Sequence, residues 1–240
     1  MRINKFLAKC GLGSRRKVEK YIIDGDIRVN DEICTKLSTQ INPDKDRVEY
    51  KHKVLQLNRE KIYLMMNKPK NYLVSTRDDF GRRLVYELLP DLDVRLFAVG
   101  RLDYRSEGLL LFTSDGKFAN QIIHPRYKLP KVYKVKVKGK ITNSDLDKLR
   151  RGIALNGKKT LPAKVFLNES YRKRQVLKMT IYEGRKRQIR RMIEAVGATV
   201  TELKRLQIGH VKLGKLPPGM WRMLYPNEVE ELRYQIKKGR

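Results

Sequence analysis

The chain has 240 residues, of which 55 are Lys or Arg and 26 are Asp or Glu, for a formal charge of +29, and 40% are hydrophobic. The apolar share supplies a core for one or two domains and excludes a disordered chain. The excess charge runs through the whole sequence and is not gathered in a tail, so nucleic acid is the expected partner. Cys10 and Cys34 form no CxxC pair, and His52, His124 and His210 are scattered. That pattern supports neither a disulfide framework nor a metal site and fits a reducing compartment. The N-terminus, MRINKFLAKCG, is charged at every third or fourth residue and lacks the apolar centre of a signal peptide. No run approaches the ~18 apolar residues of a membrane span. A soluble, cytoplasmic, monomeric protein without a membrane partner is expected.

The sequence divides near residue 60, into residues 1–58 and 59–240. In the first part Ile3, Phe6, Leu7 and Cys10 fall at i, i+3, i+4 and i+7, the apolar stripe of a short helix that Gly11 and Gly13 end. Ser14 is placed to cap a second helix, Arg15 to about Asp24, with Val18, Tyr21 and Ile22 on its apolar side. Gly25 stops it. Asp26 to Ile33 then predicts a strand, a turn at Asn30-Asp31 and a second strand. Arg15, Arg16 and Lys17 open the second helix, where free backbone N–H groups already favour anions. They make a phosphate-binding corner or, as the plainer alternative, a solvated charged face.

In the second part a strand is expected at Ile62 to Met66, followed by Asn67-Lys68-Pro69. Leu96 to Val99 and Leu109 to Phe112 predict two strands flanking GRLDYRSEGLL, which places Asp103 in the connection between them. A loop held between strands can present a side chain to a ligand without burying it. A local ion pair between Arg101 and Asp103 is the alternative. Lys131 to Val137 alternates, with Lys131, Tyr133, Val135 and Val137 on one face and Val132, Lys134, Lys136 and Lys138 on the other. Tyr133 therefore faces inward. Val176 to Tyr182 is a further strand, and EGRKRQIRRM opens a helix behind it. From Tyr171 to Arg191 nine Lys and Arg stand against one acid, Glu183. Arg82 and Arg83, in the loop DDFGRR, are equally well explained by solvation.

The run LAKCGLGSRRKVEKYIIDGDIRVNDE resembles the small RNA-binding domain first known from ribosomal protein S-four, from Met1 to about Tyr50. The resemblance implies recognition of RNA backbone and shape by the two helices. The same module occurs in a synthetase and a methyltransferase family, but those need a glycine-rich nucleotide loop after a strand. Gly11-Leu12-Gly13 instead lies between two helices. The order of NKP, GRLDYRSEGLL, the strand around Tyr133 and EGRKRQIRRM resembles the rRNA pseudouridine synthases of the RsuA/RluB family over nearly the whole chain.

That resemblance implies an α+β protein: a helix-helix-strand RNA-binding domain followed by a mixed, mainly antiparallel sheet whose cleft holds the site. It implies an isomerase that converts a uridine of ribosomal RNA to pseudouridine without a cofactor or metal. Asp103 would be the catalytic carboxylate, either as a nucleophile at the anomeric carbon or as a base at the neighbouring ribose carbon. By the same resemblance Arg190 is its fixed cation, Tyr133 stacks on the target uracil, with removal of the carbon 5 proton as a further catalytic role, and Leu203 walls the pocket. Arg101, Arg105, Arg185, Lys186 and Arg187 would join Arg15, Arg16 and Lys17 in holding RNA. The length and ending resemble the RluB branch, which implies large-subunit rRNA. A small-subunit target is the alternative, and a non-enzymatic assembly factor is the alternative from another class.

Overall fold

A computed structural model describes residues 1–57, 60–92, 94–171 and 174–239. The expected boundary between residues 58 and 59, and Arg172 and Lys173 of the basic stretch, lie outside the described residues. The chain forms two compact units, Met1–Lys61 with Asp91–Leu96, and Ile62–Pro90 with Phe97–Arg240. A division into two consecutive stretches does not anticipate the grouping of Asp91–Leu96. The run DLDVRL alternates polar and apolar residues, and six residues of alternation do not say which neighbours they pack against. Among the described residues no helix is long and apolar enough to cross a membrane.

The first unit opens with helices α1 (Ile3–Lys9) and α2 (Arg15–Ile23) and continues with strands β1 (Ile27–Val29), β2 (Glu32–Ile33), β3 (Val48–Tyr50) and β4 (Lys53–Val54). The strands form one sheet in the order β2-β1-β3-β4. The Ser14 hydroxyl accepts the backbone N–H of Lys17 at 3.0 Å and so caps α2. Asn30 and Asp31 both lie in the left-handed region, at φ 49° and 67°, which joins β1 to β2 by a tight hairpin turn. Ile3, Phe6 and Leu7 of α1 meet Val18 and Ile22 of α2 and Ile27 and Val48 of the sheet in a single apolar core. The apolar period of each helix is thus satisfied by the other helix and by one sheet face.

The second unit is built on a nine-stranded sheet. In chain order its elements are β5 (Tyr63–Lys68), β6 (Phe97–Ala98), β7 (Glu107–Thr113), α3 (Gly116–Ile123), β8 (Lys131–Lys138), α4 (Asn143–Arg151), the small hairpin β9 (Ala154–Leu155) and β10 (Lys158–Lys159), β11 (Lys164–Tyr171), β12 (Arg174–Ile181), α5 (Gln188–Glu194), β13 (Thr199–Ile208), β14 (Val211–Lys212), β15 (Trp221–Met223) and α6 (Pro226–Lys238). The sheet order is β11-β12-β8-β13-β7-β5-β15, with β14 beside β13 and β6 beside β7. Only β7 and β13 run parallel; the other ladders of this sheet are antiparallel. Val135 and Val137 of β8, Leu177 and Met179 of β12 and Leu203 of β13 pack with α4 and α5 in one core. Met65, Leu109 and Leu111 pack with α3 and α6 in a second.

The centre of this sheet divides. On one edge, β7 pairs with β13 only at Glu107 and Gly108, and with β6 at Phe112 and Thr113. The two partners diverge along the strand. Gly108 makes the first contact possible: at φ +104° a Cβ on it would stand 2.2 Å from the Arg205 carbonyl oxygen. The connection from β6 to β7, which contains Asp103, hangs over the gap between β6 and β13.

Candidate active site

Asp103 sits in the connection between β6 and β7. Its backbone carbonyl accepts the N–H of Ser106 at 2.9 Å, which tightens the loop before β7 begins. Lys68, at the end of β5, holds the same loop from beneath. Its side chain is fully buried, and Nζ donates to the carbonyl oxygens of Ser106 at 2.8 Å, Pro69 at 2.9 Å and Tyr104 at 3.4 Å. Burial lowers the ammonium pKa to about 8, although Asp103 and Glu107 pull the other way. The Asp103 carboxylate is thus placed by a loop whose backbone has little freedom.

The Asp103 side chain remains 35% exposed, while that of Arg190, on α5, is only 10% exposed. Arg190 Nε stands 3.8 Å from Asp103 Oδ2. The guanidinium also donates to the Val200 carbonyl at 3.2 Å and the Ser106 hydroxyl at 3.3 Å, leaving Nε without a hydrogen-bond partner. Burial lowers the Arg190 pKa, and the charge of Asp103 opposes that shift. Arginine stays protonated even so. The buried group is therefore a fixed positive charge at one side of a half-exposed carboxylate. Arg101 is exposed and forms no ion pair with Asp103 among the described residues, so the local pair considered from sequence does not form.

Asp103 lines a cleft whose wall includes Leu102, Tyr133, Ile181, Leu203 and Ile208. Tyr133, on β8, is buried and contributes to the cleft wall, as does Leu203 on β13. The alternation expected for β8 is present, with Lys134, Lys136 and Lys138 exposed. Arg205 stands opposite Tyr133 across the ladder. One of its terminal nitrogens is 3.5 Å from the phenol oxygen, and its Nε donates to the Leu109 carbonyl at 2.6 Å, just past the last β7–β13 pair. A main-chain acceptor exposed by the splitting of the sheet is thereby satisfied.

The basic residues fall into two groups. Arg101, Arg105, Lys186 and Arg187 are exposed, and Arg101 and Arg187 border the cleft. Arg185 instead donates to the Lys158 carbonyl at 2.7 Å, the Lys159 carbonyl at 2.6 Å and Glu183 at 3.1 Å. These contacts tie the β9–β10 hairpin to the turn before α5. In the first unit Arg15, Arg16 and Lys17 are exposed at the start of α2, with Arg15 reaching Asn4 Oδ1 at 3.3 Å and Lys17 lying 6.0 Å from the Tyr21 ring centre. Arg82 pairs with Asp78, and Arg83 lies over the Tyr72 ring. Three buried cations, Lys68, Lys131 and Arg205, were not singled out from sequence. Lys131 did carry a signal, as a lysine on the inward face of an alternating strand.

The RNA pseudouridylate synthase family model matches residues 62–195, which include Asp103, Tyr133 and Arg190. The chain belongs to this family. An S4 domain model matches residues 1–48. The chain is 44% identical to an uncharacterized RNA pseudouridine synthase of Aquifex aeolicus (strain VF5), over 97% of its own length and 93% of that protein. It is 40% identical to ribosomal large subunit pseudouridine synthase B of Bacillus subtilis (strain 168), over 100% of this chain and 98% of that one. A crystal structure of a pseudouridylate synthase superposes with a TM-score of 0.70 at 31% identity, covering 97% of this chain and 99% of the other. The chain is a pseudouridine synthase acting on RNA, with an N-terminal RNA-binding module and an α+β fold.

Proposed function

We propose that this pseudouridine synthase isomerises a uridine of large-subunit ribosomal RNA in the cytoplasm, as a monomer without a cofactor, with Asp103 as its catalytic carboxylate. The observation that supports this most is the pairing of a half-exposed Asp103 with the buried guanidinium of Arg190 beside an apolar, aromatic-walled cleft. Similarity along the full chain to ribosomal large subunit pseudouridine synthase B supports the choice of RNA.

The reaction breaks the bond between uracil N1 and ribose C1′, turns the base and joins C5 to C1′. The proton leaves C5, and N1 gains one. Asp103 starts this either by bonding to C1′ as N1 leaves, a bond that breaks when C5 joins C1′, or by taking the C2′ proton as N1 leaves and returning it when C5 joins C1′. Both roles need the ionised carboxylate, and the fixed charge of Arg190 stands 3.8 Å from it. The target nucleotide must leave its stack to reach Asp103, at a cost on the order of a few kcal/mol. Tyr133 offers a π-face to the extruded base and Leu203 an apolar wall. Arg101, Arg105, Lys186 and Arg187 take phosphates around the opening, and Arg15, Arg16 and Lys17 take phosphates further along the RNA. Arg185, which also lines the cleft, holds the hairpin as well.

Tritium release from 23S and 16S transcripts labelled at uridine C5 tests the reading. Release from 23S with Asp103 present, and its absence with Asp103→Asn, is the expected result. Release from 16S alone would move the target to the small subunit. Mapping pseudouridines in rRNA from cells lacking the protein then locates the nucleotide.

A further inference from the structure

The inner end of the cleft contains a feature that neither the Asp103–Arg190 pair nor the phosphate contacts explain. Lys131, 8% exposed, and Arg205, 3% exposed, both line it. Lys131 Nζ has a single protein acceptor, the Leu129 carbonyl at 3.2 Å. Arg205 uses Nε on the Leu109 carbonyl and one terminal nitrogen, weakly, on the Tyr133 phenol; its other terminal nitrogen is buried with no partner. Among the described residues no carboxylate forms an ion pair with either side chain. Each cation raises the cost of the other, and buried charges are ordinarily paired. Among the described residues a counter-charge is therefore missing.

We propose that Lys131 and Arg205 are the base-reading end of the cleft, donating to the carbonyl oxygens of the target uracil and carrying the negative charge that gathers there when the base detaches. This rests on the reading of Asp103 as the catalytic carboxylate. Backbone phosphates do not suit the position, because the RNA chain has to pass the opening, where Arg101 and Arg187 are exposed. The flat base is the part of the nucleotide that enters. On either route open to Asp103 the electron pair of the C1′–N1 bond stays on uracil and spreads from N1 to O2 and O4. The same charge is withdrawn when C5 bonds to C1′, C5 gives up its proton and N1 is protonated. Donors placed where charge develops, in a site closed to water, act on the transition state more than on the bound substrate.

The chemistry also gives selectivity. Uracil offers O4 as an acceptor, whereas cytosine offers an amino group at that position. Two cations have no lone pair to accept from that amine, so cytosine would leave both sides with unsatisfied donors. The Tyr133 phenol oxygen lies 3.5 Å from the same guanidinium, so stacking and edge recognition come from paired positions on β8 and β13. The protonated form of Lys131 is required. Burial and the nearby Arg205 charge lower its pKa to about 8, so the donor is present at neutral pH and is lost as pH rises through that value.

The test uses the full-length protein and two readouts. The first is single-turnover tritium release from labelled 23S and 16S transcripts. The second is inhibition of that release by uridine and cytidine 5′-monophosphates, used as small probes of the base site. Wild type should favour the uridine nucleotide by about tenfold or more. Lys131→Met and Arg205→Gln should each lower the single-turnover rate by roughly 10- to 100-fold and bring the nucleotide preference towards one, with RNA affinity within about threefold. Lys131→Arg should restore most of the rate and remove the decline above pH 8. In Asp103→Asn, which retains both cations, direct dialysis should still show the preference for the uridine nucleotide although no tritium is released. Turnover by that variant would overturn the Asp103 reading and leave the nucleotide preference as the judge of the cation pair. If Arg205→Gln fails to fold, Lys131→Met decides. Wild-type rate and wild-type nucleotide preference in Lys131→Met would show that the cations serve only to hold main-chain carbonyls, and would overturn the proposal.

Discussion

The cations at the start of α2 and the buried ones of the second unit differ in exposure, and the difference separates two uses of positive charge within one basic protein. Arg15, Arg16 and Lys17 stand in solvent, where a charge interacts weakly at a distance and is screened by salt. They are suited to phosphates that bring their own counterions to be released. Arg190, Lys131, Arg205 and Lys68 are buried, and each is held by main-chain carbonyls. Such groups cannot follow a mobile phosphate. They hold a fixed potential at one place, which is what a carboxylate or a departing base needs. Affinity and chemistry should therefore respond to different mutations.

The largest effect should come from Asp103→Asn, which keeps the shape of the side chain and removes both nucleophile and base. Tritium release is expected to fall by about 10³-fold or more with RNA affinity nearly unchanged. Turnover near wild type would remove Asp103 from the reaction and erase the distinction between the two groups of cations. Next is Arg190→Ala. Loss of the buried partner should reduce the single-turnover rate by roughly 100-fold, with RNA affinity within about threefold. Arg190→Lys should fall between, because lysine keeps the charge but not the planar fork that also reaches Val200 and Ser106.

The converse pattern is expected at the other region. Replacing Arg15, Arg16 and Lys17 together by alanine should weaken RNA binding about tenfold at moderate salt and flatten the plot of log affinity against log salt by roughly two to three units at most. The single-turnover rate at saturating RNA should be retained. An unchanged salt slope would mean that the corner at α2 faces solvent and not phosphate. The smallest effect should be that of Arg187→Ala, an exposed residue at the edge of the cleft. A slope change of about one unit at most, with little effect on rate, is expected for a single phosphate contact. Since Arg187 and Arg190 lie only three residues apart, opposite profiles for their alanine variants would tie function to burial. Matching profiles would place Arg190 among the RNA-binding cations and leave Asp103 without its partner.

Much of the local structure is legible in the sequence. The stripe Ile3, Phe6, Leu7 marks a helix because three- and four-residue spacing returns side chains to one face, and Ser14 marks where the next begins because its hydroxyl can satisfy a free N–H. Alternation in Lys131 to Val137 gives the inward face of β8, and with it Tyr133. The position of Asp103 between strands follows from the short apolar runs on either side. These signals are local, since each depends on the geometry of a single helix or strand.

What the sequence by itself determined is thus helices α1 and α2, strands β1, β2, β5 to β8 and β12, the start of α5 and the loop that presents Asp103, while α3, α4, α6 and β13 went unread. Only the tertiary structure decided that β13 runs parallel to β7, that the pairing stops after Gly108, and that the sheet opens there into a cleft. The run Leu109 to Phe112 is apolar on both faces, so its pattern says that neighbours cover it without saying which ones. The same is true of charge. Arg190 sits among Arg185, Lys186, Arg187 and Arg191 with nothing in its spacing to separate it from them. Folding buries it against Val200 and Ser106 and brings it to Asp103, and desolvation then makes it a fixed charge and not one more surface cation.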